Sequence, residues 1–335
     1  MSLPRHVTGA LETLLHGVSR TDLAQRAASL SRSYRSGGAS PDAIVSFPDA
    51  LAYAVTRMPA TFAGISAALA YTAGQLPDWR PSSLLDLGAG PGTAAFAAVD
   101  LWPDIRHVTM VERNATSRSL ARKLAEGAPM PALSGARIIA GNLPAGAAHL
   151  PDADLVVAAY VLVELHEAEV VPMVRAALSK ARQALVLVEP GTPAGFERIR
   201  MARTALIGLG ARPVAPCPHS HACPIIAPDW CHFSVRLSRS RDHRLAKQAE
   251  RSFEDEKFSY LAVSRTLVPA IPGPRIISPP RIGKADVTLR VCDAPGVAER
   301  RISRQDKLNY KAAKKLGWGD IVRDTDGQTP ELETP

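Results

Sequence analysis

The sequence predicts an α/β fold built on a mostly parallel sheet, preceded by a helical region. Three observations predict it. Five short apolar runs lie between residues 82 and 189 at intervals that admit helices between them. The first run ends in a glycine loop, and the residues before it carry leucine and alanine at helical spacing. Residues 4–36 and 48–77 form the helical part, in LPRHVTGALETLLHGV and SFPDALAYAVTRMPATFAGISAALAYTAGQL. SGGASP (36–41) separates the two, and Pro59 starts or kinks a helix because its ring removes an N–H. SSLLDLGAG (82–90), HVTMVE (107–112), ARIIAGN (136–142), ADLVVAAYVL (153–162) and QALVLVE (183–189) then read as strands. They are apolar almost without interruption, as strands covered on both faces should be. KFSYLAVSR (257–265) and DVTLRVCD (286–293) alternate like strands and are placed at the far end of the same sheet. In the latter, Val287, Leu289 and Val291 take one face and Thr288, Arg290 and Cys292 the other. The expected divisions are 1–79 helical, 80–200 parallel core, 201–256 a cysteine-rich basic insertion, 257–320 the last strands and a basic helix, and 321–335 a loose tail.

With 335 residues, 46% hydrophobic and 21% charged, the composition is that of a globular chain with one large or two modest cores. The longest apolar run, LVVAAYVLV (155–163), is half the length of a membrane span, so no membrane partner is expected. The first twenty residues lack a secretory signal, and Glu12 and Asp22 argue against a mitochondrial presequence, which points to a cytoplasmic protein with reduced cysteines. A monomer is expected. The net charge of +8 is concentrated at one end: residues 201–335 carry 22 Lys+Arg against 15 Asp+Glu, while residues 1–200 carry 18 against 17. Two blocks hold most of it, RLSRSRDHRLAKQAER (236–251) and ERRISRQDKLNYKAAKK (299–315). A charge run is more often a solvated face, but this segregation makes a polyanion partner equally plausible.

The glycine loop reads D-L-G-A-G-P-G-T from Asp86 to Thr93. Glycine there permits a tight strand-to-helix turn and close approach of backbone to a ligand. A dinucleotide fold wants G-x-G-x-x-G, and here the third glycine, Gly92, falls one residue early. The D-x-G-x-G-x-G spacing instead resembles the first motif of the class I S-adenosylmethionine (SAM) methyltransferases, a Rossmann-like fold. Glu112 ends the second strand 26 residues after Asp86, where a carboxylate can accept both ribose hydroxyls, and Asn142 ends the third, within reach of the adenine. The resemblance implies that Gly88 and Gly90 lie against the methionine part, with Asp86 orienting the loop. No catalytic residue stands out. AAYVLVEL (158–165) lacks the paired prolines of amino-group methylating enzymes, and no cysteine nucleophile is near. Tyr160 and Glu164 are the nearest polar residues, and a structural role suits them equally well.

Cysteine is scarce but crowded. The four stand as Cys217, Cys223, Cys231 and Cys292, three within one proline-rich loop. Four thiolates complete either a zinc site, with His219, His221 or His232 as further donors, or a [4Fe-4S] cluster. Four unconnected buried cysteines are the plain alternative. The combination of DLGAGPG, TRMPAT (56–61), LVEPGTPAGF (187–196), the CP…CP…DWCHFSVRLSRSRDHR block, DEKFSYLAVSR (255–265) and RIGKADVTLRVCD (281–293) resembles the methyltransferase-like small-ribosomal-subunit proteins of the Rsm twenty-two type. The resemblance implies a [4Fe-4S] cluster on Cys217, Cys223, Cys231 and Cys292, association with rRNA of the small subunit, and a mitochondrial matrix location in a eukaryote. Val163 stands where a polar residue is expected in relatives. The loop, clamped to the last strand through Cys292, would present Arg236, Arg239, Arg241 and Arg244 to rRNA phosphates. Three functions compete: an rRNA methyltransferase, an assembly factor that keeps the SAM fold without turnover, and a small-molecule methyltransferase, which the basic C-terminal part disfavours.

Overall fold

The computed structural model describes residues 2–35, 43–143, 145–247 and 250–322. The SGGASP separator at 36–41 and the tail from 323 lie outside them. Among the described residues the first long helices are α1 (Arg5–Leu14), α2 (Arg20–Arg35), α3 (Phe47–Thr56) and α4 (Met58–Gln75). Helices α3 and α4 are separated at Arg57, just before Pro59, as the proline requires. Ser46 and Asp49 form a capping box at the start of α3, and Arg26 of α2 donates to Asp49 Oδ1 at 2.7 Å, fastening the two helices together.

The core alternates β1 (Ser83–Leu87), α5 (Thr93–Leu101), β2 (His107–Glu112), α6 (Ala115–Glu126), α7 (Pro131–Ser134), β3 (Arg137–Ala140), β4 (Ala153–Ala159), α8 (Glu167–Lys180), β5 (Ala181–Pro190), α9 (Pro193–Gly208) and β6 (Arg212–Ala215). After the cysteine loop come β7 (Phe233–Ser238), α10 (Arg241–Lys247) and β8 (Phe253–Ser264). The strand order is β3-β2-β1-β4-β5-β8-β6, with β7 paired to β8. Strands β1 to β5 are parallel, and β8 runs antiparallel to both β5 and β6. Period-two alternation splits each central strand between two cores. Leu84, Leu155, Val186 and Val188 pack under the N-terminal helices, while Leu85, Val156, Leu185 and Leu187 pack under α8 and α9. Each such side chain contributes about 2 kcal/mol on burial.

One placement differs from the sequence reading. DVTLRVCD is a strand, β11 (Asp286–Asp293), but it belongs to a second, four-stranded sheet with β9 (Arg275–Ile276), β10 (Arg281–Ile282) and β12 (Gly296–Ser303), followed by α11 (Lys307–Ala313). Its apolar face, Val287, Leu289 and Val291, buries against Ile276 and Ala313 instead of the main sheet. Alternation specifies a half-buried strand and its faces, not its neighbour. Cys292 is accordingly not on the last strand, since β12 follows and pairs with β11 along its length. Asp320–Val322, at the start of the expected loose tail, are held by an Ile321–Arg275 bridge and by Val322 N–H donating to Pro274 O.

Candidate cofactor cavity and cysteine centre

The carboxyl ends of β1, β2 and β4 open into a cavity of about 1240 Å³. Asp86, Gly88, Gly90, Glu112 and Asn142 all line it. The turn after β1 is left-handed at Gly88 (φ +73°), whose N–H donates to Val111 O at 2.8 Å. A Cβ on Gly88 would lie 2.4 Å from Val161 Cγ2, so close approach and dihedral both demand glycine. Gly92 is not among the lining residues; it caps α5 with φ +93° and packs beside Phe96 and Met110. Asp86 is buried and accepts from Ala95 N–H at 3.1 Å, which ties the loop to the first turn of α5. Burial pushes its carboxyl up to about 7 against that hydrogen bond. Glu112 binds the glycine loop directly. Its two oxygens accept from Gly90 N–H (2.9 Å) and Asn114 N–H (2.7 Å), which leaves lone pairs on each for a ligand hydroxyl.

The opposite wall comes from the helical region. Tyr53 of α3, Arg57 at the junction, and Thr61 and Ile65 of α4 face the loop after β4, which brings Tyr160, Val161, Val163 and Glu164. Tyr160 adopts a left-handed backbone (φ 59°), and its hydroxyl donates to Glu256 Oε1 at 3.3 Å. Burial and the Glu256 carboxylate hold that hydroxyl protonated. Arg57 stands 3.7 Å from the same carboxylate. Val163 is 37% exposed at the cavity wall.

Glu189 was not singled out from sequence. It is fully buried, and its carboxylate accepts from the backbone N–H groups of Val161 (3.0 Å), Leu162 (2.7 Å) and Val163 (3.1 Å). Burial pushes its pKa up to about 8, opposed by those three donors. Glu189 therefore fixes the shape of the acceptor-side loop. The signal was present: a carboxylate closing an apolar strand inside VLVEPG has no apolar reason to be there.

Cys217, Cys223 and Cys231 lie in the connection between β6 and β7, and Cys292 on β11. Cys223, Cys231 and Cys292 join one apolar cluster with Phe196 and Ile225, and Cys217 packs against the core under α9. Burial, then the neighbouring Cys217, Cys292 and Cys223, raises the Cys231 thiol well above its ordinary value; burial pushes Cys292 up to about 12. Arg203, a buried arginine missed in the sequence, donates to Cys217 Sγ (3.3 Å) and to His219 O (2.7 Å). His219 Nε2 lies 3.8 Å from Cys292 Sγ. Among the described residues no three His, Cys, Asp or Glu side chains are spaced to hold a metal ion. The thiols converge without ligand geometry. Protein bonds also dock the loop on the second sheet: Arg290 pairs with Asp229, and the buried Arg275 donates to Pro216 O at 3.0 Å.

The expected RNA contacts divide. Arg236 is paired bidentately with Asp255 (2.7 and 2.8 Å), and Arg239 with Glu254 at 3.1 Å, which also takes Lys247. Arg241 and Arg244 are exposed on α10, beside Asp242, which pairs with Arg20. No helix among the described residues is long and apolar enough to cross a membrane.

A sheet in this order, with its reversed strand beside β5 and a glycine loop after β1, defines a class I SAM-methyltransferase-like fold. The chain belongs to the family described as mitochondrial small ribosomal subunit Rsm22, whose model matches residues 48–323. It is 30% identical over 292 residues to the human "Ribosome assembly protein METTL17, mitochondrial", covering 81% of this chain and 62% of that protein. It is 27% identical over 328 residues to the Schizosaccharomyces pombe "Rsm22-cox11 tandem protein 2, mitochondrial", covering 82% of this chain and 43% of that one. The chain thus spans less than two thirds of either relative's length. Among solved structures it is similar to an O-methyltransferase family protein from Burkholderia thailandensis, at 15% identity and a TM-score of 0.43 over 66% of this chain and 60% of that one. It is also similar to magnesium protoporphyrin IX methyltransferase from Synechocystis, at 13% identity and a TM-score of 0.40 over 66% and 85%.

Proposed function

We propose that this protein binds SAM in the cavity and serves in assembly of the small ribosomal subunit by contacting its rRNA, in the mitochondrial matrix. The observation that carries the SAM reading is the joint placement of Gly88, Gly90, Glu112 and Asn142 on one cavity, with Glu112 still able to accept hydroxyls. Asp86 holds the loop from beneath, and Gly92 shapes its exit into α5. Membership of the ribosomal family supports the assembly role. Methyl transfer to rRNA is the second reading, favoured by the same cavity. Against turnover stand Val163 at the wall and Tyr160, whose hydroxyl is committed to Glu256.

The four thiols fit a soft metal centre by their chemistry. Cys292 is buried and the other three are half-buried, the Cys231 and Cys292 thiols are raised by burial and by neighbouring cysteines, and the four are drawn from two otherwise separate segments. Cys217, Cys223, Cys231 and Cys292 would hold a [4Fe-4S] cluster, with zinc the alternative occupant. Its contribution is structural: it would join the loop to β11. Arg203 and Arg275 position that loop from the protein side.

The test is calorimetric titration with SAM, alongside mapping of rRNA modifications in cells with and without the gene. SAM binding with an unchanged modification map and stalled subunit assembly is the expected result. A lost methyl mark restores the methyltransferase reading, and absence of SAM binding overturns the cavity assignment.

A further inference from the structure

In the arginine block Arg236 and Arg239 are paired while Arg241 and Arg244 are exposed; a second, denser set of available basic charge lies on the second sheet and its helix. Arg281, Arg290, Arg300 and Arg301 of this module are each within reach of a carboxylate: Glu299, Asp229, Asp293 and Asp286 respectively. Lys284, Arg304, Lys307, Lys311, Lys314 and Lys315 are exposed, and none makes an ion pair among the described residues.

These six are brought to one surface by the fold. Arg304 N–H donates to Ala285 O at 2.7 Å, seating it beside the β10–β11 turn that carries Lys284. Tyr310 of α11 donates to Gly283 O at 3.3 Å, fixing the helix against the same turn. Lys307, Lys311 and Lys314 then recur at i, i+4 and i+7, one face of the helix, with successive steps of about 6 and 4.5 Å along the axis. Like charges at that spacing destabilise a helix by a few tenths of a kcal/mol per pair. A row of anions would reverse that penalty.

We propose that α11 and the β10–β11 turn form the phosphate-contacting surface through which this chain grips RNA. The inference rests on the ribosomal reading above and places its contact. Lysines without acidic partners, presented as separate point charges along a rigid element, suit consecutive backbone phosphates. An anionic membrane is the competing occupant, but only Leu308 (65% exposed) and Ile282 (54%) offer apolar anchorage there, short of the continuous stripe of an interfacial helix.

The test uses the full chain and a transcribed fragment of small-subunit rRNA, titrated over a range of salt. In a variant with Lys307→Gln, Lys311→Gln, Lys314→Gln and Lys315→Gln, affinity should fall at least about tenfold. The slope of log affinity on log salt should become shallower by about 0.7–0.9 for each lost contact. Arg236→Gln with Arg239→Gln serves as the comparison and should change affinity by less than about twofold, because both guanidiniums are already paired. Circular dichroism melting checks that both variants fold. If wild type binds RNA and the lysine variant keeps its affinity and slope, the placement is wrong and the ribosomal reading survives. If wild type binds no RNA, both fall. Loss of co-sedimentation with phosphatidylserine vesicles, with RNA binding intact, would assign the surface to membrane.

Discussion

Asp86, Gly88 and Glu112 reach the cavity from the ends of two neighbouring parallel strands, whereas Cys217, Cys223, Cys231 and Cys292 come from a long connection and from a different sheet. The cavity's loop is already fully bonded: Gly88 and Ala89 donate to Val111, Gly90 to Glu112, and Ala95 to Asp86. The cysteines are gathered from two segments, and burial together with the neighbouring cysteines raises the Cys231 and Cys292 thiols above their ordinary values. A site made of strand ends is assembled when the sheet is. A site made across sheets forms only once its loop is ordered, and the chain entropy of that loop is offset here by side-chain bonds from Arg203, Arg275 and Arg290.

The largest expected effect is on the cysteines, under the proposed cluster. Cys231→Ser should abolish bound metal, measured by elemental analysis and by the broad absorbance of an iron–sulfur centre. It should also lower the unfolding temperature, since comparable structural ligation is worth about 10 kcal/mol or more. SAM affinity should not change. If SAM binding is lost too, the two sites are one cooperative unit and the contrast fails. Wild type containing one zinc and no iron would keep the contrast and replace the occupant.

Gly88→Val should do the reverse. Its Cβ would meet Val161 at 2.4 Å in a left-handed backbone, a strain of about 1–3 kcal/mol, so SAM affinity should fall roughly ten- to hundredfold by calorimetry with metal content unchanged. An unaffected affinity would remove the glycine loop from the site.

The smallest effect is on pH dependence. Glu189 and Asp86 both have folded-state pKa values raised above their ordinary ones, to about 8 and about 7. The folded chain therefore binds more protons than the unfolded one between about pH 4 and 8. Stability from these groups is complete below that window and is lost as pH rises through it. Glu189→Gln should flatten this decline in melting temperature, leaving the Asp86 part. A decline of unchanged steepness would mean that Glu189 is ionised throughout, held by its three N–H donors.

Much of the cavity was legible in the sequence because it is local. Strand, glycine turn and helix are contiguous from Ser83 to Leu101, and the spacing to Glu112 follows from one helix and one strand of the alternating pattern. Less was legible where partners are distant. The short β6 and β7 were missed: RPVA is four residues long and carries a proline, and FSVRLS, although it alternates strictly, opens the block that was read for its charge. The N-terminal helices read correctly as helices, yet nothing in their pattern said that Tyr53 and Arg57 would wall the cavity. Composition likewise counted Arg236 and Arg239 as free charge, whereas pairing β7 with β8 sets Asp255 and Glu254 opposite them.

The sequence by itself determined the strand-and-helix alternation, the turn that only glycine can make, and the supply of four thiols. Hydrophobic period and backbone sterics act within a few residues, so they can be read in order along the chain. Tertiary structure alone decided that Asp286–Asp293 joins a second sheet, that Glu189 shapes the loop after β4, and which cations remain unpaired. Those outcomes depend on which buried faces and opposite charges meet across long chain separations, and that is settled only when all the segments compete for the same contacts.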